Sequence, residues 1–264
     1  MSNMTEQISY QPPVAIEKNS EVDNIWDCIE EAAQLRDGPP EIGSDLPLPF
    51  FHILQRLKTT KREGWRRFGI TDDKCESISD HMYRMSLICM FPPATLAPRL
   101  NIPHCSKMAL IHDMAEALVG DITPMDKIPK AEKSRRELTT MQYFTGGLLG
   151  NVEGGAVGKE MLKVWQEYED DQTLEAHFVH DVDKIELLLQ MMEYEREHEK
   201  KLDLGEFSYV ASKVQLPEIR AWSNKILTER EEFWGDVEHS RMDQGNSQDP
   251  AKESYYAAAE IAKD

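Results

Sequence analysis

Apolar residues recur every three or four positions through most of the chain, the spacing that places side chains on one face of an α-helix. The longest such run predicts a helix over residues 173–197, and a starting proline and a following glycine mark another over 217–234. Further runs predict helices over 50–61, 77–90, 108–118, 131–144 and 161–168. Because no alternating apolar and polar segment is bounded by turn residues, the sequence predicts a single all-α domain of about six or seven helices.

Bulky apolar residues are concentrated in residues 46–235, which we interpret as the folded domain. An acidic N-terminal extension, 1–45, precedes it, and an acidic tail, 236–264, which the composition predicts to be disordered, follows it. Within the extension, a helical pattern over 22–36 ends at a Gly-Pro-Pro sequence. Two interpretations of this pattern stay open: a helix that docks on the domain, and a transient helix in a mobile tail.

The 264-residue chain carries 48 acidic and 30 basic residues, a formal net charge of −18. A strongly acidic surface repels nucleic acid and anionic membranes, which argues against either as a partner. Two-thirds of the excess negative charge lies in residues 1–50 and 236–264, so the domain itself is only mildly acidic. A single small nucleotide is therefore compatible with the charge of the domain, whereas an extended nucleic acid is not.

The four cysteines, Cys28, Cys75, Cys89 and Cys105, form no paired motif, which favours reduced thiols. The N-terminal residues lack the basic and apolar segments of a secretory signal, and prolines interrupt the most apolar stretch, so no membrane span is expected. We therefore expect a cytoplasmic protein, with the nucleus as a further location.

Polar residues interrupt the apolar faces of three predicted helices. His112 and Asp113 are adjacent in the middle of 108–118, and His81 and Asp183 lie on the apolar faces of two other helices. Hydrogen bonds alone would explain a lone His-Asp pair. Two imidazoles and two carboxylates together form a ligand set that suits a divalent metal ion, Mn²⁺, Co²⁺, Fe²⁺, Zn²⁺ or Mg²⁺, with positions left open for an activated water.

Two acidic residues follow the His-Asp pair. Glu116, four residues after His112, shares its helical face and could act as a general base or acid, although a solvated helix residue is the alternative. Asp121 comes just past the predicted helix end, where it either caps a turn or points into the site. No histidine lies between His112 and His177, which favours one metal ion per subunit over two. Asp181 is expected to be exposed.

The order of the four candidate ligands reproduces the H…HD…D pattern of the HD-domain metal-dependent phosphohydrolases, which the chain resembles over residues 46–235. The resemblance extends to longer strings: ESISDHMYRMS at 76–86, ALIHDMAEALVGDITP at 109–124 and IPKAEKSRRE at 128–137. These strings look like the 5′-deoxynucleotidase branch, which includes YfbR-like enzymes and the eukaryotic HD domain-containing protein 2 group.

The resemblance implies an HD-domain helical bundle that hydrolyses deoxyribonucleoside 5′-monophosphates to a deoxynucleoside and phosphate. It implies that the metal ligands are His81, His112, Asp113 and Asp183. It makes Glu116 the catalytic glutamate and places Asp121 near the leaving 5′-oxygen. By the same resemblance, Arg62 binds the phosphate and Trp65 reads the sugar.

The sequence departs from the bacterial members beside Arg62, because Glu63 holds the place of their tryptophan and Trp65 comes three residues after the arginine. This departure leaves open how strictly deoxyribose is selected over ribose, and the base preference is open as well. A basic run over 56–67 supports an anion site independently, although a solvated basic face explains most of its members.

Other readings of the same pattern remain. An HD phosphohydrolase could act on a cyclic nucleotide, a nucleoside triphosphate or an alarmone, and a catalytically silent HD scaffold could keep the fold. The intact ligand set and Glu116 argue against the scaffold. Members of the family are usually homodimers, which implies a homodimer here, with the helical faces that carry Trp222 or Met141 as candidate interfaces.

Overall fold

The computed structural model describes residues 26–35 and 38–240. In this part of the chain the backbone is helical and contains no β-strand, only an isolated antiparallel bridge between Lys61 and Ser77. The helices are α1 (Cys28–Ala33), α2 (Leu48–Thr59), α3 (Glu63–Arg67), α4 (Ile78–Ile88), α5 (Ile102–Ala109), α6 (Glu116–Val119), α7 (Lys130–Gln142), α8 (Ala156–Asp170), α9 (Leu174–Glu197) and α10 (Pro217–Trp234). The predicted all-α class is confirmed, and α2, α4, α5, α7, α8, α9 and α10 are its longer helices.

Two helices that carry candidate ligands begin where the sequence predicts. At α4, the Ser77 hydroxyl accepts a hydrogen bond from the Asp80 N–H at 3.1 Å, and the Asp80 carboxylate accepts one from the Ser77 N–H at 2.8 Å. At α9, the Thr173 hydroxyl accepts the Ala176 N–H at 3.1 Å. These side chains satisfy N–H groups that have no partner inside the helix and so fix its first turn.

Helix α9 lies at the centre of the domain, where α4, α5, α8 and α10 pack against it. Its predicted apolar stripe is buried, as Phe178, Val182, Ile185 and Leu188 show. Full burial of one such side chain contributes about 1.5–3 kcal/mol to folding. This packing fixes the rotation of α9 about its axis and therefore the position of Asp183 next to Val182.

The predicted helix over 108–118 is wrong in its extent. Helix α5 ends at Ala109, residues 110–115 form tight turns, and α6 begins only after them. Nδ1 of His112 lies 2.9 Å from the carbonyl oxygen of Ala109. This carbonyl therefore pairs with a side chain and not with a backbone N–H of a following helical turn. The spacing of apolar residues carries no signal for such a bond. His112 and Asp113 consequently lie in a turn and not in the middle of a helix.

Helix α1 packs against α6 and α7. Cys28 and Ala32 are buried, and the Cys28 thiol donates to the carbonyl oxygen of Thr139 at 3.7 Å. The described part of the predicted 22–36 segment is thus docked on the domain, while the rest of that segment and residues 241–264 lie outside the described residues. Among the helices that the structure describes, none is long and apolar enough to cross a membrane.

Candidate metal centre

Three elements bring the four predicted ligands together. Helix α4 carries His81, α9 carries Asp183, and the turn after α5 carries His112 and Asp113. Nε2 of His81 lies 3.2 Å from Oδ1 of Asp183. Oδ2 of Asp113 lies 3.1 Å from Nε2 of His112 and 3.9 Å from Nε2 of His81. His81, His112 and Asp113 therefore offer ligand atoms within 4.8 Å of one another, and Asp183 joins them through its contact with His81.

The other ring nitrogen of each histidine is hydrogen-bonded away from this volume. Nδ1 of His81 lies 2.6 Å from Oε2 of Glu186, and Nδ1 of His112 lies 2.9 Å from the carbonyl oxygen of Ala109. Both partners are acceptors, so each Nδ1 carries the proton in the neutral ring. Both Nε2 lone pairs are then left for the centre of the site.

The residues present fit a divalent cation. Nε2 of His81 is buried and makes no hydrogen bond, although two carboxylates lie close to it. Leaving a buried polar atom unpaired costs about 1–3 kcal/mol. Two imidazole nitrogens with carboxylate oxygens form a donor set that binds Mn²⁺, Fe²⁺, Co²⁺ or Zn²⁺ well.

The electrostatics of His81 also favour a cation. Burial and the positive charge of Arg62 lower the pKa of His81, but Glu186 and Asp183 outweigh both and raise it to about 10. The carboxylates around this ring therefore attract a positive charge, which is either a proton or a metal ion.

Glu116 begins α6, and its Oε2 is buried without a hydrogen-bond partner. Burial and the negative charges of Asp113 and Asp121 raise its pKa well above the usual value. The ammonium of Lys133, 4.0 Å from Oε1, acts in the opposite direction. A carboxyl group with a raised pKa beside the ligand set is suited to accept and donate a proton.

Arg62 and Asp121 lie next to the ligand set. Nη1 of Arg62 is 3.4 Å from Oδ2 of Asp113 and 3.8 Å from Oδ1 of Asp121. Oδ2 of Asp121 accepts the N–H of Glu63 at 2.6 Å, so this aspartate also fixes the start of α3. Asp121 therefore does not cap a turn of its own loop: one oxygen accepts a distant backbone N–H, and the other faces Arg62.

Trp65 lies in the core and not at the open face of the site. Its ring is almost fully buried and contacts Tyr194 and Phe207, with centroids 5.5 and 4.4 Å away. Its Nε1–H donates to Glu76 at 2.6 Å. The ring has almost no surface available to a bound sugar, so the structure does not support the predicted sugar contact.

Asp181 is buried, contrary to the expectation that it is exposed. Its carboxylate accepts the N–H groups of Gln215 and Leu216 at 2.8 and 2.7 Å. These donors immediately precede α10, where backbone N–H groups lack helical partners. Asp181 therefore ties the start of α10 to α9 and takes no part in the site.

Two polar residues beside the site, Glu186 and Arg84, are not among the residues that the sequence pattern singled out. Glu186 is buried three positions after Asp183, and Arg84 follows His81 at the same spacing. A charged residue one turn from a candidate ligand is a signal that the sequence does contain.

A cavity of about 450 Å³ opens beside Asp121, between the end of α2, α3 and the loop that follows α6. Its wall includes the basic side chains of Lys61, Arg66 and Arg136 and the apolar side chain of Ile122. Small-molecule sites in proteins usually have volumes of about 300–1,000 Å³. The cavity therefore offers room for a small ligand next to Asp121.

Comparison with known proteins agrees with this geometry. Residues 54–221 match the family described as HD domain. The 5′-deoxynucleotidase hdd1 of Schizosaccharomyces pombe is 42% identical over 195 residues, which cover 74% of this chain and 96% of that protein. The human 5′-deoxynucleotidase HDDC2 is 39% identical, over 69% of this chain and 85% of that protein.

Solved structures show the same fold. The HD domain-containing protein YGK1 matches with a TM-score of 0.54 and 32% identity, over 71% of this chain and 86% of that one. The PH0347 protein of Pyrococcus horikoshii matches with a TM-score of 0.55 and 25% identity, over 70% of this chain and 99% of that one.

Proposed function

Because this chain belongs to the HD domain family, we propose that it is a 5′-deoxynucleotidase, which hydrolyses deoxyribonucleoside 5′-monophosphates to a deoxynucleoside and inorganic phosphate. Relatives with this name align with about three-quarters of the chain. The observation that carries the proposal is the close group of His81, His112 and Asp113, with Asp183 beside the buried Nε2 of His81 that has no hydrogen bond.

One divalent ion per subunit, Mn²⁺, Co²⁺, Fe²⁺, Zn²⁺ or Mg²⁺, would be held by His81, His112, Asp113 and Asp183. Such an ion, when bound, supplies an activated water and polarises the phosphoryl group. A single ion is supported by His180, whose ring pairs with the carbonyl oxygen of Tyr168 at 3.0 Å and not with the ligand set.

Arg62 binds the phosphate in this proposal. A guanidinium can donate to two phosphate oxygens at once, and its positive charge stabilises the charge that develops on them. Asp121, fixed through the N–H of Glu63, lies between Arg62 and the cavity, where it faces the leaving 5′-oxygen. Glu116 accepts a proton from the attacking water and holds it in a buried position.

The cavity beside Asp121 receives the nucleoside. Its charged and polar wall suits a sugar and base that offer hydrogen-bonding groups. Because Trp65 is buried against Tyr194 and Phe207, we assign it no contact with the sugar and give it the role of holding Glu76.

A panel of nucleotides tests the proposed substrate class. Phosphate release is measured with deoxyribonucleoside and ribonucleoside 5′-monophosphates, a 3′-monophosphate, a nucleoside triphosphate, a cyclic nucleotide and a guanosine tetraphosphate. We expect the highest kcat/KM with deoxyribonucleoside 5′-monophosphates. A higher kcat/KM with the triphosphate, the cyclic nucleotide or the tetraphosphate would replace the proposal with another HD phosphohydrolase activity.

A homodimer is the proposed assembly. Met141 is fully buried and offers no side-chain surface to a partner, and Trp222 is only partly exposed. Tyr83, Leu87 and Phe91 instead form an exposed apolar stripe along and just beyond α4. Analytical ultracentrifugation should give a dimer for the wild type and a monomer for Leu87→Asp, with Met125→Asp, on another exposed surface, as the control. A monomeric wild type would contradict this assembly.

The location is proposed to be the cytoplasm, with the nucleus as a further site. The support is that Cys28, Cys75, Cys89 and Cys105 are all buried and unpaired. Free thiols are typical of reducing compartments.

A further inference from the structure

A buried carboxylate lies directly behind the imidazole of His81. Oε2 of Glu186 is 2.6 Å from Nδ1 of His81, and both side chains are almost completely shielded from solvent. Glu186 lies on α9 one turn after Asp183, so the same helix supplies a candidate ligand and the partner of another ligand. Water cannot replace this hydrogen bond, because neither side chain is accessible.

Arg84 holds the second oxygen of this carboxylate. Its Nε donates to Oε1 of Glu186 at 2.8 Å, and its Nη2 lies 2.6 Å from the same oxygen. Glu193 and Gln190, further along α9, accept from the same guanidinium at 2.6 and 2.8 Å. Arg84 follows His81 by one turn on α4. The carboxylate is thus fixed between a ligand and an arginine of the same helix.

The arrangement has a defined consequence for the imidazole. A fixed carboxylate at Nδ1 keeps the proton on that nitrogen, orients the ring and makes Nε2 a stronger electron-pair donor. Nε2 is the atom that faces Asp113 and Asp183 without a hydrogen bond. The negative charge of Glu186 also offsets part of the charge of a bound cation.

We propose that Glu186 is a positioning residue for the metal centre, which fixes His81 with Nε2 directed at the cation, and that Arg84 holds Glu186 in place. The proposal rests on the metal binding that the proposed function requires. Partners of this kind typically contribute about 10- to 100-fold to metal affinity. Loss of Glu186 should therefore weaken metal binding while the fold persists.

The test measures the binding of Co²⁺ alone, without nucleotide, by chelator competition on metal-stripped protein, and records the visible absorption spectrum of the Co²⁺ complex. We expect Glu186→Gln to weaken Co²⁺ binding by about 10- to 100-fold and to change the spectrum. The matched control is Glu193→Gln, because Glu193 also accepts from Arg84 but does not touch His81. The Co²⁺ affinity of this control should stay within about twofold of the wild type, a change much smaller than the loss expected for Glu186→Gln.

A second variant covers the case in which Glu186→Gln does not fold. Arg84→Met leaves Glu186 beside His81 but removes the guanidinium that holds its carboxylate. Because Arg84 is partly exposed, the variant should fold, and we expect a smaller but measurable loss of Co²⁺ affinity. Wild-type affinity and an unchanged spectrum in both variants would overturn the proposal, and so would a wild type that binds no Co²⁺. A wild type that binds Co²⁺ but releases no phosphate from nucleotides would overturn the proposed function alone.

Discussion

Nη1 of Arg62 lies 3.4 Å from Oδ2 of Asp113, so the residue proposed to bind phosphate is ion-paired with a residue proposed to bind the metal. Both side chains are largely buried, which limits the screening of this pair by solvent. A metal ion would replace Arg62 as the partner of Asp113, and a phosphate would replace Asp113 as the partner of Arg62. Metal ion and substrate are therefore expected to strengthen each other's binding.

Arg62→Ala should lower kcat/KM for deoxyribonucleoside 5′-monophosphates by about 100-fold. A charge-assisted contact in a buried site is worth about 2–3 kcal/mol, and each 1.4 kcal/mol is about tenfold in rate. Steady-state kinetics on the metal-loaded enzyme measure the effect. Arg99→Ala removes an exposed guanidinium that pairs only loosely with Glu218, and it should leave kcat/KM unchanged. Equal kinetics for the two variants would refute a phosphate contact at Arg62.

Glu116→Gln should lower kcat by about 10²- to 10⁴-fold, the usual contribution of a positioned general acid or base. The amide keeps the volume of the side chain but cannot exchange a proton. Uptake of the metal should be retained, because Glu116 is not one of the proposed ligands. Glu160→Gln, at an exposed position paired with Lys107, serves as the control. A variant at position 116 with wild-type kcat would show that another group manages the proton.

Lys133→Met should move the limb of the kcat–pH profile that reports Glu116 to higher pH. The ammonium of Lys133 lies 4.0 Å from Glu116 and lowers the pKa of that carboxyl group, so its removal raises the pKa. The profile is measured on metal-loaded enzyme at saturating substrate. Lys107→Met, which removes an exposed charge beside Glu160, should leave both limbs in place. An unmoved profile in Lys133→Met would contradict the assignment of that limb to Glu116.

Glu76→Gln should change how the stability of the metal-free protein depends on pH. Burial and the charge of Glu186 raise the pKa of Glu76 from 4.5 to about 7. The pKa of Glu76 is thus higher in the folded protein than in the unfolded chain. Its contribution to the free energy of unfolding is therefore present at low pH and is lost as the pH rises through 7.

Relative to the wild type, the free energy of unfolding of Glu76→Gln should therefore rise between pH 5 and pH 8 by up to about 3 kcal/mol. Urea denaturation at both pH values measures this difference. Glu193→Gln, whose carboxylate is half exposed, should follow the wild type. Parallel behaviour of Glu76→Gln and the wild type would mean that Glu76 is ionised in the folded protein at neutral pH.

The parts of the fold that the sequence predicts best are those set by local rules. The predicted helices that became α4 and α9 begin where expected, because Ser77 and Thr173 bond to backbone groups three residues away, and the apolar stripe of α9 is buried as predicted. The break after Ala109 escaped prediction because the helical spacing of apolar residues continues across it, while the bond between His112 and the Ala109 carbonyl leaves no trace in that spacing.

The candidate site shows the same division. The four candidate ligand residues stand out in the sequence because each is a polar residue within an apolar segment. The burial of Asp181 depends on Gln215, more than thirty residues away. The role proposed for Glu186 depends on His81, more than one hundred residues away. The burial of Trp65 likewise depends on Tyr194 and Phe207, which sequence spacing does not connect to it.

Metal dependence is tested by measuring phosphate release from a deoxyribonucleoside 5′-monophosphate, first with metal-stripped protein and then with protein reloaded with one divalent ion at a time. His112→Ala is measured in parallel. We predict that stripped protein is inactive, that at least one of Mn²⁺, Co²⁺, Fe²⁺, Zn²⁺ and Mg²⁺ restores turnover, and that His112→Ala stays inactive with every ion. Full activity of the stripped protein, or wild-type turnover by His112→Ala, would contradict a metal-dependent hydrolase centred on these residues.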